Sequence, residues 1–130
     1  MSEKKIYSIL VAEDNTLNQK LITTILSKQG FNFKLVENGE GAWESFQQEH
    51  FDLVLMDCQM PIMDGLEATQ KIRSYEGTQG LTKTPIIAIT ANGAIGYRDT
   101  CLEVGMDDYV AKPFKIDELI STMNHWLKEL

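Results

Sequence analysis

Asp57 closes the apolar run Leu53-Val54-Leu55-Met56 and is followed by Cys58-Gln59-Met60-Pro61. Such a run, bounded by a turn signal, predicts a buried strand covered on both faces, with a carboxylate at its carboxyl end. Three other apolar runs end in polar residues of particular kinds. The first ends in Glu13-Asp14, a later one in Thr90 and the last in Lys112. Three carboxylates held close repel one another, and a hard divalent cation relieves that repulsion. Mg2+ suits such a set, because it takes one or two carboxylates together with water and phosphate oxygens. A carboxylate can also attack phosphorus and form an aspartyl phosphate. Phosphoryl transfer needs charge stabilisation on the equatorial oxygens more than covalent help. Lys112 offers a point charge for that purpose and the Thr90 hydroxyl a hydrogen-bond donor.

Taken singly, these residues have plainer readings. Asp14 alone is more often a helix cap than a metal ligand, Thr90 a strand-end residue and Lys112 a solvated charge. The joint reading depends on the elements that gather them. Residues Ile6 to Ala12 read as a first strand. Asp14 or Asn15 caps a helix over Leu17 to Gln29, where Leu17, Leu21, Ile22 and Ile25 recur at helical spacing and Gly30 is the stop. Phe31 to Val36 alternates apolar and polar side chains, which suits a strand nearer an edge. Asn38-Gly39 is a turn signal, and Ala42, Trp43 and Phe46 mark a short helix ending near His50.

After the strand ending at Asp57, Pro61 to Gly65 reads as a loop and Leu66 to Tyr75 as a third helix, with the stem of Arg73 available for packing. Glu76 to Thr84 has two glycines and no periodicity, so a loop is expected. Pro85 introduces the strand Ile86 to Thr90, which Asn92-Gly93 breaks. Tyr97 to Val104 predicts a short fourth helix closed by Gly105. Gly93 and Gly96 predict a frayed or shortened start to it, since glycine costs a helix about 1 kcal/mol relative to alanine. Tyr109 to Ala111 is a minimal fifth strand before Lys112-Pro113, and Ile116, Leu119, Ile120, Met123, Trp126 and Leu127 mark the apolar stripe of a last helix.

Five strands alternating with five helices predict an α/β fold. It is a three-layer α/β/α sandwich on a five-stranded parallel sheet in the flavodoxin-like order 2-1-3-4-5. All the strand ends named above then lie on one edge of the sheet, which gathers positions about 100 apart into one cleft.

The length suits one domain, expected over residues 1–130. A net charge of −7 argues against nucleic acid or anionic lipid as a direct partner, because phosphate binding needs clustered Lys and Arg. Cys58 and Cys101 form no metal-ligand pattern and read as reduced core thiols. Cys58 should face away from Asp57, and a redox sensor is its other reading. His50 and His125 read as helix-end or surface residues rather than phosphoryl relays. The N-terminal apolar run is too short for a signal peptide or a membrane span. A cytoplasmic protein, or a cytoplasmic segment of a larger one, is expected, with no membrane contact by this domain.

Four stretches together resemble the receiver domain of two-component response regulators. They are Ile9-Leu10-Val11-Ala12-Glu13-Asp14-Asn15, Asp52-Leu53-Val54-Leu55-Met56-Asp57-Cys58-Gln59-Met60-Pro61-Ile62-Met63-Asp64-Gly65, Pro85-Ile86-Ile87-Ala88-Ile89-Thr90-Ala91-Asn92 and Asp107-Asp108-Tyr109-Val110-Ala111-Lys112-Pro113-Phe114. The Glu13-Asp14-Asn15 and Asn18-Gln19 wording is most similar to receivers fused to hybrid histidine kinases. The resemblance implies two-component phosphorelay signalling, in which Asp57 accepts a phosphoryl group from a kinase phosphohistidine. It also implies that Asp14, Asp57 and the backbone carbonyl of Gln59 bind Mg2+, with Glu13 acting through water. Thr90 and Lys112 would bind the phosphoryl oxygens, and Tyr109 would be the aromatic switch of the face formed by the fourth helix, fifth strand and fifth helix. Gln59 and Asn92 would tune dephosphorylation, and the Lys112-Pro113 bond would be cis. The implied partners are a histidine kinase and a histidine phosphotransfer domain. The chain would be a receiver from a hybrid kinase or a stand-alone regulator, and no enzyme in the turnover sense.

The alternative reading is a Mg2+-dependent phosphohydrolase with an aspartyl nucleophile. It calls for a second carboxylate just after Asp57, where Gln59 stands. A flavin carrier on the same fold calls for a Ser/Thr/Gly-rich phosphate loop after the first strand, where Glu13-Asp14 would repel phosphate. A receiver-like binder that is never phosphorylated fits poorly with an intact acidic, Thr and Lys set.

Overall fold

The computed structural model describes residues 6–91 and 96–127. In chain order the elements are β1 (Ser8–Ala12), α1 (Thr16–Lys28), β2 (Asn32–Val36), α2 (Gly39–Gln48), β3 (Leu53–Asp57), α3 (Gly65–Gln79), β4 (Ile86–Thr90), α4 (Tyr97–Glu103), β5 (Asp108–Ala111) and α5 (Ile116–Leu127). The five strands pair in parallel in the order β2-β1-β3-β4-β5, as expected from the sequence.

Strand side chains alternate between the two faces of the sheet, and each face has its own core. Ile9, Val11, Leu53, Leu55, Ile87, Ile89 and Val110 meet Ile22, Ile25 and Leu26 of α1 and Leu119, Met123 and Leu127 of α5. On the other face, Leu10, Ala12, Val54, Met56, Ile86 and Ala88 meet Ala42 and Phe46 of α2, Ala68 and Ile72 of α3, and Cys101 of α4. β3 lies in the middle of the sheet and all five of its residues are buried, which accounts for its unbroken apolar sequence. β2 is an edge strand with no fully buried residue, which accounts for its alternation.

Local chemistry sets the helix starts. Asn15 caps α1 by accepting from the Asn18 N–H, Asn38 caps α2 by accepting from Gly41, and Asp64 caps α3 by accepting from Glu67. Asn38-Gly39 is therefore a helix entry rather than a free turn.

One boundary departs from expectation by a full helical turn, the others by one or two residues. α3 does not end at Tyr75 but runs to Gln79 and is closed by Gly80 in the left-handed region, φ 66°. The extra turn is held by Glu76, which is buried. Its Oε1 accepts from Arg73 Nη1 at 2.7 Å and its Oε2 from the Thr84 N–H at 2.7 Å. Helical periodicity carries no trace of such an anchor. Asn92 and Gly93 lie outside the described residues. Gly96, φ 86°, precedes α4 and provides no side-chain cap.

Candidate functional site

Strand order brings the expected residues to one edge. β1 ends at Ala12, so Glu13 and Asp14 leave the sheet there, and the Glu13 N–H still bonds to the Val36 carbonyl at 3.0 Å. Asp57 is the last residue of β3 and is paired with Ile89 of β4, next to Thr90. Lys112 follows β5, and its N–H donates to the Thr90 carbonyl at 2.8 Å. The Lys112-Pro113 bond is cis.

The side chains of Glu13, Asp14 and Asp57 each offer a carboxylate oxygen, and these oxygens lie within 4.8 Å of one another. Glu13, Asp57 and Thr90 are buried, whereas Asp14 is exposed. Both oxygens of Asp57 are engaged. Oδ1 accepts from the Gln59 N–H at 3.0 Å and Oδ2 from Lys112 Nζ at 2.8 Å. Glu13 Oε2 accepts from the Asn15 N–H at 3.0 Å. Glu13 Oε1 lies 2.8 Å from Lys112 Nζ, yet no aligned hydrogen bond reaches it. The distance makes this a charge contact; the missing alignment leaves a buried lone pair for another electropositive group.

The electrostatics follow from burial and from that shared ammonium. Burial raises the Glu13 pKa above the ordinary carboxylate value. The Lys112 ammonium and the hydrogen bond from the Asn15 N–H only partly offset it. Burial works against the charge on Lys112, but the carboxylates of Asp57 and Glu13 override it, so its pKa is raised. The site therefore combines hard oxygen donors, a retained cation and a buried acceptor that is not satisfied. Such a set can hold a divalent cation and stabilise charge on a transferring phosphoryl group.

A sequence profile of the response regulator receiver domain matches residues 9–124. The chain belongs to the response regulator receiver domain family. This receiver is 45% identical over 121 residues to hybrid signal transduction histidine kinase I of Dictyostelium discoideum, an alignment covering 89% of this chain and 7% of the relative. Across similar curated relatives the chain spans only 4% to 13% of their length. Among solved structures, the receiver domain of sensor histidine kinase PA1611 from Pseudomonas aeruginosa PAO1 is 41% identical with a TM-score of 0.86, covering 95% of this chain and 99% of that one. That structure has a magnesium ion coordinated in its active site cleft. The receiver domain of Saccharomyces cerevisiae Ssk1, solved with the histidine phosphotransfer protein Ypd1, is 29% identical with a TM-score of 0.89, covering 93% and 88% of the two chains.

Other expected residues of this receiver are placed as follows. The Gln59 side chain is exposed, and its backbone N–H holds Asp57. Asn92 lies outside the described residues. Tyr109 is half-buried against the core that contains Cys101. His50 is exposed beyond α2, with Nε2 3.2 Å from Asp52. His125 is exposed on α5 beside Trp126. Neither histidine joins the carboxylate cluster. Among the described residues no helix is long and apolar enough to cross a membrane.

Some supporting residues carry no sequence signal of their role. Gln19 donates its Nε2 to the Glu13 carbonyl at 2.7 Å, across six positions. Gly65 begins α3 directly against Asp57, where a β-carbon would collide with the Asp57 carbonyl oxygen. A glycine one residue after the Asp64 cap was the available hint. Cys58 and Cys101, 43 positions apart, bring their sulfurs to 3.5 Å. Nothing in the spacing announces that pair.

Proposed function

We infer that this receiver accepts a phosphoryl group on Asp57 from the phosphohistidine of a histidine kinase, in a Mg2+-dependent reaction. The observation that carries the inference is the Lys112 ammonium, 2.8 Å from both Asp57 Oδ2 and Glu13 Oε1, inside the three-carboxylate cluster. The donor set fits Mg2+: its oxygens are hard, and buried Glu13 Oε1 lacks an aligned donor. Asp14, Asp57 and the backbone carbonyl of Gln59 would hold the ion, with Glu13 acting through water. Bound there, Mg2+ would neutralise charge on the phosphoryl oxygens.

The chain's own groups do the rest. An Asp57 oxygen forms the new bond to phosphorus as the phosphorus–nitrogen bond to the donor imidazole breaks. Lys112 orients the carboxylate beforehand and then pairs with the charge gained by the phosphoryl oxygens. Thr90, at the end of β4, donates its hydroxyl to another of those oxygens. Its movement lets Tyr109 turn inward and reshape the α4-β5-α5 face. The side chains of Gln59 and Asn92 tune how fast water removes the phosphoryl group. The domain thus catalyses only its own phosphorylation and dephosphorylation.

Residues 1–130 form one receiver domain in this reading, working in the cytoplasm as part of a phosphorelay. Its resemblance to hybrid kinases supports a histidine kinase as donor. The Ssk1 complex supports a histidine phosphotransfer domain as a further partner. Intact mass after incubation with a small-molecule phosphodonor, with and without Mg2+, tests the assignment. A single phosphoryl adduct is expected that needs Mg2+ and disappears in Asp57→Asn. No adduct under any condition would overturn it.

A further inference from the structure

We propose that Cys58 and Cys101 form a reversible intramolecular disulfide, made by a hydroperoxide oxidant, that pins α4 to the end of β3. The two sulfurs are 3.5 Å apart and both residues are buried. A disulfide needs about 2 Å, so closure asks for roughly an ångström and a half of movement. Their positions give the bond a consequence. Cys58 directly follows Asp57 at the carboxyl end of the central strand, and Cys101 sits in the middle of α4.

Access comes from the weakness of α4. It has seven residues, begins after Gly96 without a side-chain cap, and Cys101 is its one fully buried residue. Tyr97, half-buried at its start, packs against the core cluster that contains Cys58. A short helix with one fully buried side chain opens locally far more often than the sheet does. In the open state Cys101 meets solvent.

The chemistry balances in two steps. The Cys101 sulfur attacks the peroxide oxygen, the oxygen–oxygen bond breaks, and water leaves with the thiol proton. The sulfur is oxidised to a sulfenic acid and the peroxide is reduced. When α4 recloses, the Cys58 sulfur attacks that of Cys101. The sulfur–oxygen bond breaks, and the departing hydroxide takes the Cys58 proton as a second water. Two thiols and one peroxide give one disulfide and two waters.

The test uses the full chain. Reduced protein is treated with hydrogen peroxide, quenched, denatured, and alkylated to cap remaining thiols. Intact mass should show a monomer that has lost two hydrogens and gained no alkyl group, with the Cys58 and Cys101 peptides linked. Amide exchange over Tyr97 to Glu103 should slow about tenfold or more in the oxidised form and recover with dithiothreitol. Cys101→Ser and Cys58→Ser should show neither change. Reduction of the parent protein is an internal control that does not depend on how the variants fold. A covalent dimer, oxygen addition without a link, or a linked chain with unchanged α4 exchange would each overturn the proposal.

Discussion

Lys112 donates to Asp57 across 2.8 Å although 55 positions separate the two residues. Glu13 shares the same ammonium, so one cation serves two buried carboxylates. Lys112→Met keeps most of the stem and removes the charge. It should destabilise the metal-free protein by about 3 kcal/mol, because it leaves buried charges unpaired. Millimolar Mg2+ should restore part of that. Phosphoryl acceptance should fall about 100-fold or more. Urea titrations and phosphodonor time courses measure both, and equal metal-free stability of variant and parent would show that the ammonium does not hold the pair.

Glu13 is held above the ordinary carboxylate pKa by burial. The folded state therefore binds its proton more tightly than the unfolded state does. Ionising the group weakens the fold as pH rises through that interval. In chelator at neutral pH, Glu13→Gln should stabilise the protein by up to about 1 kcal/mol. The advantage should shrink as pH falls from the raised folded value towards the ordinary one. The Tm increase produced by Mg2+ should be smaller in the variant, since the carboxylate that would act on the ion through water is lost. Melting curves at two pH values, with and without Mg2+ at matched ionic strength, decide the matter. A variant less stable than its parent in chelator at neutral pH contradicts the argument.

Arg73 clamps α3 to the loops that lead into β4 and β5. Its Nε donates to the Gly105 carbonyl, Nη1 to Glu76 and to the Thr84 carbonyl, and Nη2 to Asp107, each at 2.7 or 2.8 Å. Arg73→Leu should cost about 3 kcal/mol, because buried Glu76 loses its cation and keeps only the Thr84 N–H, while Asp107 keeps Lys83 and the Ile86 N–H. Arg73→Lys should recover little, since an ammonium cannot reproduce a planar fork. Denaturant midpoints for the three proteins read this out, and full rescue by Lys would point to charge alone.

Ile62 has φ 71° and is 78% exposed. The Met63 N–H bonds to the Pro61 carbonyl at 2.8 Å around it, forming a γ-turn. A β-branched residue there is strained, and its exposure means that little apolar burial is lost on replacement. Ile62→Gly should stabilise the fold by up to about 1 kcal/mol. A lower Tm for the variant would mean that Ile62 makes a compensating contact.

The alternation of β2, the unbroken apolar run of β3 and a cap at Asp14 or Asn15, which the structure resolves as Asn15, were legible in the sequence because each acts over a few neighbouring residues. The last turn of α3 was not, because Glu76 is held by Arg73 and Thr84 through side-chain geometry rather than periodicity. Asn38 was read as a turn and proved to be a cap, since both use the same side-chain chemistry. The strain at Ile62 likewise left no mark, as isoleucine gives no sign of a positive φ.

By itself the sequence determined the alternation of strands and helices. With it came the parallel order that sends Glu13, Asp14, Asp57, Thr90 and Lys112 to one edge, because hydrophobic period and chain connectivity are local properties. Only the tertiary structure decided which atoms meet there. It gave both Asp57 oxygens their donors, left Glu13 Oε1 buried without an aligned one, and set two distant thiols side by side. Those relationships arise from how strands stack and helices close over them, and a linear pattern of residue types does not encode distances between side chains far apart in the chain.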